Sequence, residues 1–312
     1  MAKRNDMSKL SGAEQFEKYY LELYSSRWEE LKKSALKADR KIYRYVKDLP
    51  SSVDFDLPKF LPEILAKKFF ADCTEIRPQE GNDLDFYYLD FASVLAARFL
   101  EARTEHLVLD MCAAPGGKSL VLASDMNFKG EIICNELSRG RRDRLKRVLR
   151  EGLGDLLNEQ RLDLKVKGLD GVKFGIKYPK TFDRILIDAP CSGERHLLKR
   201  PSELENWSKK RSQKLSQRQY GLLCSGLLAL RPGGRILYST CSLSEIENDG
   251  VVRKFLAKKG EFARIFDYEK HQMMELIHSV DFIERTEFGF QILPDKAHGM
   301  GPIYFCLIES VV

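Results

Sequence analysis

The chain of 312 residues has no apolar run near the ~20 residues a membrane helix needs, which argues against a spanning segment. Its opening, Met1 to Ser8, lacks the apolar core of a secretion signal, and nothing there resembles a long Arg- and Ser-rich transit peptide. Cysteine is sparse: seven residues, odd in number and irregular in spacing, with no Cys-x-x-Cys pair. That argues against a metal site and a disulfide framework, and for a reducing, cytosol-like compartment. Internal repeats and low-complexity tracts are also missing.

What is present reads as a globular core, with 43% apolar residues. The 52 Lys and Arg outnumber the 46 Asp and Glu, a net charge of +6 that fits a polyanionic partner without singling out nucleic acid. From about Ala13 to Ala35, Phe16, Tyr20, Tyr24, Trp28, Leu31 and Ala35 recur every three or four residues. This predicts a helix whose aromatic face packs on the rest of the protein rather than on bases. A break at Leu49-Pro50-Ser51-Ser52, then Pro58 and Pro62, places the end of a small helical N-terminal region near residue 75, with a second unit over 76–312.

Beyond residue 100, strand and helix signals alternate. Strands are expected at 106–110, 131–136, 163–166, 182–188 and 235–239, with helices at 119–126, at 138–149 and over Leu215 to Leu230. The last of these helices is expected to stop at Arg231-Pro-Gly-Gly234. Phe288 to Leu293 and Pro302 to Ile308 are expected to pair as an antiparallel hairpin. The alternation predicts an α/β fold with a twisted, mostly parallel sheet covered on both faces.

Cys112-Ala-Ala-Pro-Gly-Gly-Lys118 sits where the first of these strands meets the next helix, a place where backbone amides and a helix start suit phosphate or carboxylate. Its spacing matches neither GxGxxG nor GxxxxGK[ST]. Glu136 ends the second strand, where a carboxylate can accept two ribose hydroxyls, and Asp170 follows the third, where it can receive an adenine amino group. S-adenosylmethionine satisfies all three features. A tight turn with two solvated loop acids explains them too, since a fold does not fix a function.

Asp188-Ala-Pro-Cys191 follows the fourth strand and Ser239-Thr-Cys241-Ser242 the fifth, so both thiols and Asp188 are expected to face the same crevice. Cytosine C5 becomes nucleophilic only when something adds to C6; a thiolate can do so, and a second group must then remove the C5 proton. A basic neighbour such as Lys118 can favour the thiolate, and Asp188 can hydrogen-bond the cytosine edge. A lone cysteine is more often a small buried hydrophobe, the role assigned to Cys134, Cys224 and Cys306.

Asp110-Met-Cys-Ala-Ala-Pro-Gly-Gly-Lys118, Asp188-Ala-Pro-Cys-Ser192 and Ser239-Thr-Cys-Ser242 follow the order of motifs in Sun-domain (Nol/Nop/Sun, Fmu-like) RNA cytosine-5 methyltransferases. The chain resembles that family from about residue 75 to its end. The resemblance implies a Rossmann-like class I methyltransferase with a seven-stranded sheet and S-adenosyl-L-methionine as cofactor. It makes Cys241 the nucleophile and Cys191 the residue that assists release. It also implies Cys112, Ala113, Ala114, Pro115, Gly116, Gly117, Lys118, Glu136, Arg141, Asp170 and Asp188 as cofactor and substrate contacts.

Gly193-Glu-Arg-His196 stands where Gly-x-Gly is the commoner continuation, and the chain ends in Gly301-Pro-Ile-Tyr-Phe-Cys306 rather than a Gly-Phe-Phe type. With Tyr87-Tyr88-Leu89 and the Phe16 to Trp28 helix, these resemble the mitochondrial small-subunit rRNA subgroup and its bacterial relatives. Ribosomal RNA is then the expected partner, with transfer RNA the alternative. The opening residues make a bacterial cytoplasm the expectation ahead of a mitochondrial matrix. That subgroup works beside a helical-repeat protein; no docking surface for one is readable here, and a monomer is the default.

Arg139, Arg141, Arg142, Arg144, Lys146, Arg147 and Arg150 form a charge run expected to be mostly solvated, and Lys209, Lys210, Arg211, Lys214 and Arg218 a second basic stretch able to track phosphates. The target cytosine should be single-stranded, looped or flipped out. An amine methyltransferase needs no placed thiols. An RNA-binding assembly factor needs no chemical residues, and a DNA cytosine methyltransferase carries its nucleophile on the Pro-Cys motif.

Overall fold

The computed structural model describes residues 10–37, 41–45, 57–74, 86–158 and 161–311. The expected break at Leu49 to Ser52 and the boundary near residue 75 lie outside them.

Helix α1 (Gly12–Tyr24) opens with a capping box: Ser11 Oγ accepts from the Glu14 amide, and Glu14 Oε2 accepts from the Ser11 amide at 2.8 Å. The single helix expected over 13–35 is two. Ser25 takes φ 52° and ends α1, and after one 3-10 turn the chain resumes as α2 (Trp28–Leu36). The bend stacks Tyr20 on Trp28, with centroids 5.1 Å apart, and Phe16, Tyr20, Trp28, Leu31 and Ala35 bury against Leu197, Trp207 and Leu243. The aromatic stripe is core.

Further on come β1 (Lys41–Tyr45), α3 (Glu63–Phe70), β2 (Cys73–Thr74) and β3 (Phe86–Asp90). The three strands pair antiparallel in the order β2-β1-β3, so this region carries a small sheet besides its helices. Asp72 lies between the guanidinium groups of Arg44 (2.8 Å) and Arg98 (2.6 Å), which outweigh its burial and hold its carboxyl down at about 2.

The larger part continues with α4 (Phe91–Arg98), β4 (Leu107–Asp110), α5 (Gly117–Asp125), β5 (Gly130–Asn135), α6 (Arg139–Asn158) and β6 (Leu162–Lys167). Then follow α7 (Phe174–Lys177), β7 (Phe182–Asp188), α8 (Glu194–Leu198), α9 (Pro201–Leu204), α10 (Lys209–Ala229) and β8 (Leu230–Thr240). The chain closes with α11 (Asp249–Lys259), β9 (Ala263–Ile265), α12 (Met274–Ser279), β10 (Ile283–Arg285), β11 (Phe290–Ile292) and β12 (Ile303–Ser310).

Strands β6-β5-β4-β7-β8 run parallel, β12 joins β8 antiparallel, and β11 pairs antiparallel with β12 as expected. These are the seven expected strands; β10 and β9, three residues each, extend the sheet to nine. Side chains alternate between two cores. Val108, Leu186 and Leu237 face one, while Leu109, Ile185, Ile187, Ile236 and Tyr238 face the other. Arg231-Pro-Gly-Gly234 does more than stop α10. It bulges inside β8, so that Phe182 pairs with Leu230 but Arg184 with Arg235.

Because the five central strands are parallel, Asp110, Asn135, Lys167, Asp188 and Thr240 all end at one edge of the sheet. That edge, where α/β sheets bind ligands, is where the motifs lie.

Candidate active site

The 112–118 turn leaves the end of β4 and enters α5. Gly116 has φ 123°, and a Cβ there would press on Val148 and Leu145 of α6; a Cβ on Gly117 would fall 2.6 Å from Leu89. The positive φ makes glycine the fitting residue at 116, while at 117 a side chain would have to displace Leu89. The Ala113 amide bonds Asn135 O at 2.8 Å, and Arg141 Nη2 donates to Ala114 O at 2.9 Å, so the turn is tied to β5 and α6.

Glu136 follows β5 as foreseen, but it is 6% exposed, not a solvated loop acid. Its Oε1 accepts the Ser138 amide at 2.8 Å, and Arg141 Nη1 lies 3.3 Å from Oε2. Asp170 caps the short turn after β6, and its Oδ1 accepts from Arg218 Nη2 at 2.8 Å. The turn, Glu136 and Asp170 thus stand at the ends of three adjacent strands, a set of amides and carboxylate acceptors that fits an adenosyl ligand with a carboxylate tail. Within the charge run, Arg142 is half-buried; its guanidinium donates to Glu136 O and Leu137 O.

Lys118 joins this half to the cysteines. Its Nζ lies 2.8 Å from Asp188 Oδ2, while Ser239 donates to Asp188 Oδ1 at 3.0 Å. Burial works against the ammonium, but Asp188, with Cys241 and Asp110 adding, outweighs it and holds the Lys118 pKa above the ordinary lysine value. Burial pushes the Asp110 carboxyl up to about 7, against a hydrogen bond from Ser119 and with the charge of Asp188.

Cys191 and Cys241, free thiols at the ends of neighbouring strands, have their sulfurs in contact at 2.7 Å. Cys241 is exposed and lines a cleft of about 290 Å³ together with Asp90, Ser93, Arg195 and Gly301. Cys191 sits half-buried beside it; the hydrogen bond with Cys241, then burial, pushes its thiol well up. Cys134 and Cys306 are buried as expected and burial raises both thiols, whereas Cys224 is only half-buried.

Behind the cysteines lies a wall that the motifs do not reveal. Glu194 and Glu247 are both fully buried. Ser192 Oγ contacts both carboxyls, Ser242 Oγ reaches Glu194 at 3.1 Å, and Tyr20 of α1 donates to Glu194 at 2.6 Å. Gln219 of α10 ties Glu247 (2.9 Å) to Pro190 O (2.9 Å). The sequence does not mark either glutamate: in Gly193-Glu-Arg-His196 the departure from Gly-x-Gly is Arg195, and Glu194 holds the open middle position.

A Rossmann-like sheet with a cofactor-type turn on one strand end and two touching thiols on the next pair defines a class I methyltransferase fold with a two-cysteine crevice. The chain belongs to the 16S rRNA methyltransferase RsmB/F family, whose pattern matches residues 97–307. It is 36% identical over 245 residues to the 5-cytosine rRNA methyltransferase NSUN4 of Xenopus tropicalis, covering 75% of this chain and 59% of that protein. It is 33% identical over 253 residues to the mitochondrial tRNA (cytosine(34)-C(5))-methyltransferase of Mus musculus, covering 75% of this chain and 66% of that one. The solved structure of NSun6 from Pyrococcus horikoshii with SFG shares the fold: TM-score 0.70 at 19% identity, over 96% of this chain and 98% of that one.

Proposed function

We propose that this chain is an S-adenosylmethionine-dependent RNA methyltransferase acting on carbon 5 of cytosine, with small-subunit ribosomal RNA as its substrate. The observation that carries the reading is the contact of Cys191 and Cys241 at the mouth of a cleft, beside the Lys118–Asp188 pair. Amine methylation has no use for that arrangement. Family membership and likeness to an rRNA enzyme support the substrate.

Cys112 to Lys118, Glu136, Arg141 and Asp170 would hold the cofactor, which supplies an electrophilic methyl group on a sulfonium. Cys241, the thiol open to the cleft, adds to cytosine C6 as thiolate, and the electron pair of the C5–C6 double bond becomes available at C5. The Lys118 ammonium favours that thiolate, and Asp188 hydrogen-bonds the polar edge of the base. Once C5 carries both a methyl group and a hydrogen, Cys191 takes the proton. The C5–H electron pair restores the double bond, and the C6–S bond breaks to return Cys241 as thiolate. Cys191 must first release its own proton to solvent; the hydrogen bond with Cys241, then burial, raises its pKa, so the thiolate so formed is a strong base.

The test incubates purified protein with labelled S-adenosylmethionine and total RNA. Wild type should yield 5-methylcytosine, Cys241→Ala none, and Cys191→Ala a covalent RNA adduct whose sequence names the substrate. Methyl transfer indifferent to both cysteines would sink the cytosine-5 reading. Transfer RNA in the trapped adduct would replace ribosomal RNA as substrate.

A further inference from the structure

Two buried glutamates that the chemistry above does not use lie directly behind the residues that perform it. We propose that Glu194 and Glu247 share one proton through Ser192 and form the positioning unit that holds Cys191 against Cys241; this rests on the two-cysteine reading.

The proton count follows from the hydroxyl. Ser192 Oγ lies within hydrogen-bonding reach of Oε1 of Glu194 and Oε1 of Glu247, yet a hydroxyl carries a single hydrogen. If Ser192 donates to one carboxylate, the other must bring its own proton, because two bare oxygens cannot close on the same acceptor. Both carboxyls are fully buried, and their partners among the described residues are Tyr20 from α1, Ser192, Ser242, Ser212 and Gln219 from α10 and backbone amides, with no cation among them. Two charges there would be desolvated and mutually repelled. Glu194 receives Tyr20, Ser242, Ser192 and the Leu243 amide at 2.9 Å, the environment of an ionised carboxylate. Glu247 receives the Ser192 amide at 3.0 Å and Gln219 on Oε2, leaving Oε1 to donate. Burial, then the charge of Glu194, raises its pKa, in accord with that assignment. The chain of donation runs from Glu247 through Ser192 to Glu194.

Position follows from connectivity. Ser192 and Ser242 each come directly after a cysteine, and they contact each other at 3.0 Å. Glu194 bonds both serines, so the two cysteine-bearing loops are tied to one carboxylate. Moving Glu194 separates the sulfurs without touching substrate, cofactor or thiol.

The experiment measures sulfur proximity directly. Treated with diamide, two thiols lose two protons and two electrons to the azo reagent, which becomes the hydrazine, and a Cys191–Cys241 disulfide forms that peptide mapping identifies. Glu194→Gln should close at least about tenfold more slowly than wild type while still unfolding cooperatively above the assay temperature. Glu247→Gln, whose neutral amide donates as the protonated carboxyl does, should close within about twofold of wild type. With RNA, Glu194→Gln should lower kcat at least about tenfold, leave KM within about threefold, and accumulate covalent adduct as Cys191→Ala does. A wild-type closing rate in Glu194→Gln overturns the positioning role, and equal slowing in both variants overturns the shared proton. Should Glu194→Gln fail to fold, Tyr20→Phe removes one donor from Glu194 and must slow closing about threefold; an unchanged rate overturns the proposal. Closing rates in the expected order, with full methylation by both cysteine-to-alanine variants, would leave the carboxyl pair standing and overturn the cysteine chemistry.

Discussion

At the ends of β4, β5 and β6, the groups that face the crevice are steadied from the front and side. Glu136 leans on Arg141 and Asp170 on Arg218, cations that are themselves well exposed. At the ends of β7 and β8, the groups that face the crevice are steadied from behind, by two carboxyls to which water has no access. Under the proposed function the contrast has a use. A cofactor that enters and leaves on every turnover would suit a rim of partly exposed ion pairs. Two thiols acting in sequence on one base would need a fixed separation, which a desolvated, fully bonded network supplies.

Several measurements sharpen or break this contrast. The largest effect is expected at Lys118, which belongs to both halves. Lys118→Gln leaves the part-buried Asp188 without its cation beside the reacting thiols, so kcat/KM should fall on the order of 100-fold. A fall below fivefold would show that the halves work without the bridge.

Next is Asp110, on the first strand of the cofactor half. Its carboxyl titrates near 7 when folded against 3.8 ordinarily, so the stability it contributes is complete below about pH 4 and lost as pH rises through 7. Asp110→Asn carries no such loss. Its unfolding free energy relative to wild type, from denaturant titrations, should climb from pH 4 to pH 8 toward a ceiling on the order of 4 kcal/mol. A difference flat in pH would mean that this strand end is as open to water as the rim.

Glu136→Gln should weaken S-adenosylmethionine binding by about tenfold in calorimetry while leaving the diamide closing rate of the cysteine pair unchanged. A change in closing rate would join the two halves into one unit. The smallest effect is expected from Lys209→Glu with Lys210→Glu at the start of α10, outside both halves. RNA affinity should drop severalfold, and its salt dependence should become shallower by roughly 0.7 per lost phosphate contact on single strands. Unchanged affinity across a salt series would remove this helix from the RNA path.

The two halves also differ in how far they could be read from the sequence. The cofactor half is nearly contiguous: a seven-residue turn and two acids, each at a strand end, fixed by the period of the apolar pattern. The parallel sheet was legible for the same reason, because β5 and β7 are short apolar runs between amphipathic helices. The front of the cysteine half was legible through its two motifs. Its back was not, because Tyr20, Glu194, Gln219 and Glu247 come from four segments, and the Tyr20–Glu194 bond spans 174 residues. Glu194 and Glu247 lie in charged stretches that read as surface, since carboxylates are rarely buried without a cation. The break at Ser25 was hidden too: the apolar spacing continues through it, and only the backbone records the bend.

The aromatic face of α1 has a consequence in time rather than space. Tyr24 donates to the carbonyl of Leu243, 219 residues downstream, and Trp207 and Leu243 cover the same cluster. A ribosome adding about 5–20 residues per second exposes Phe16, Tyr20 and Trp28 roughly 10–40 s before their cover is made. Through that interval the first helix of the nascent chain is a sticky, half-finished surface, and the crevice it helps to brace cannot yet exist. The aromatic face of α1 therefore stays uncovered until Leu243 has been made, and the wall behind the cysteines can close only then.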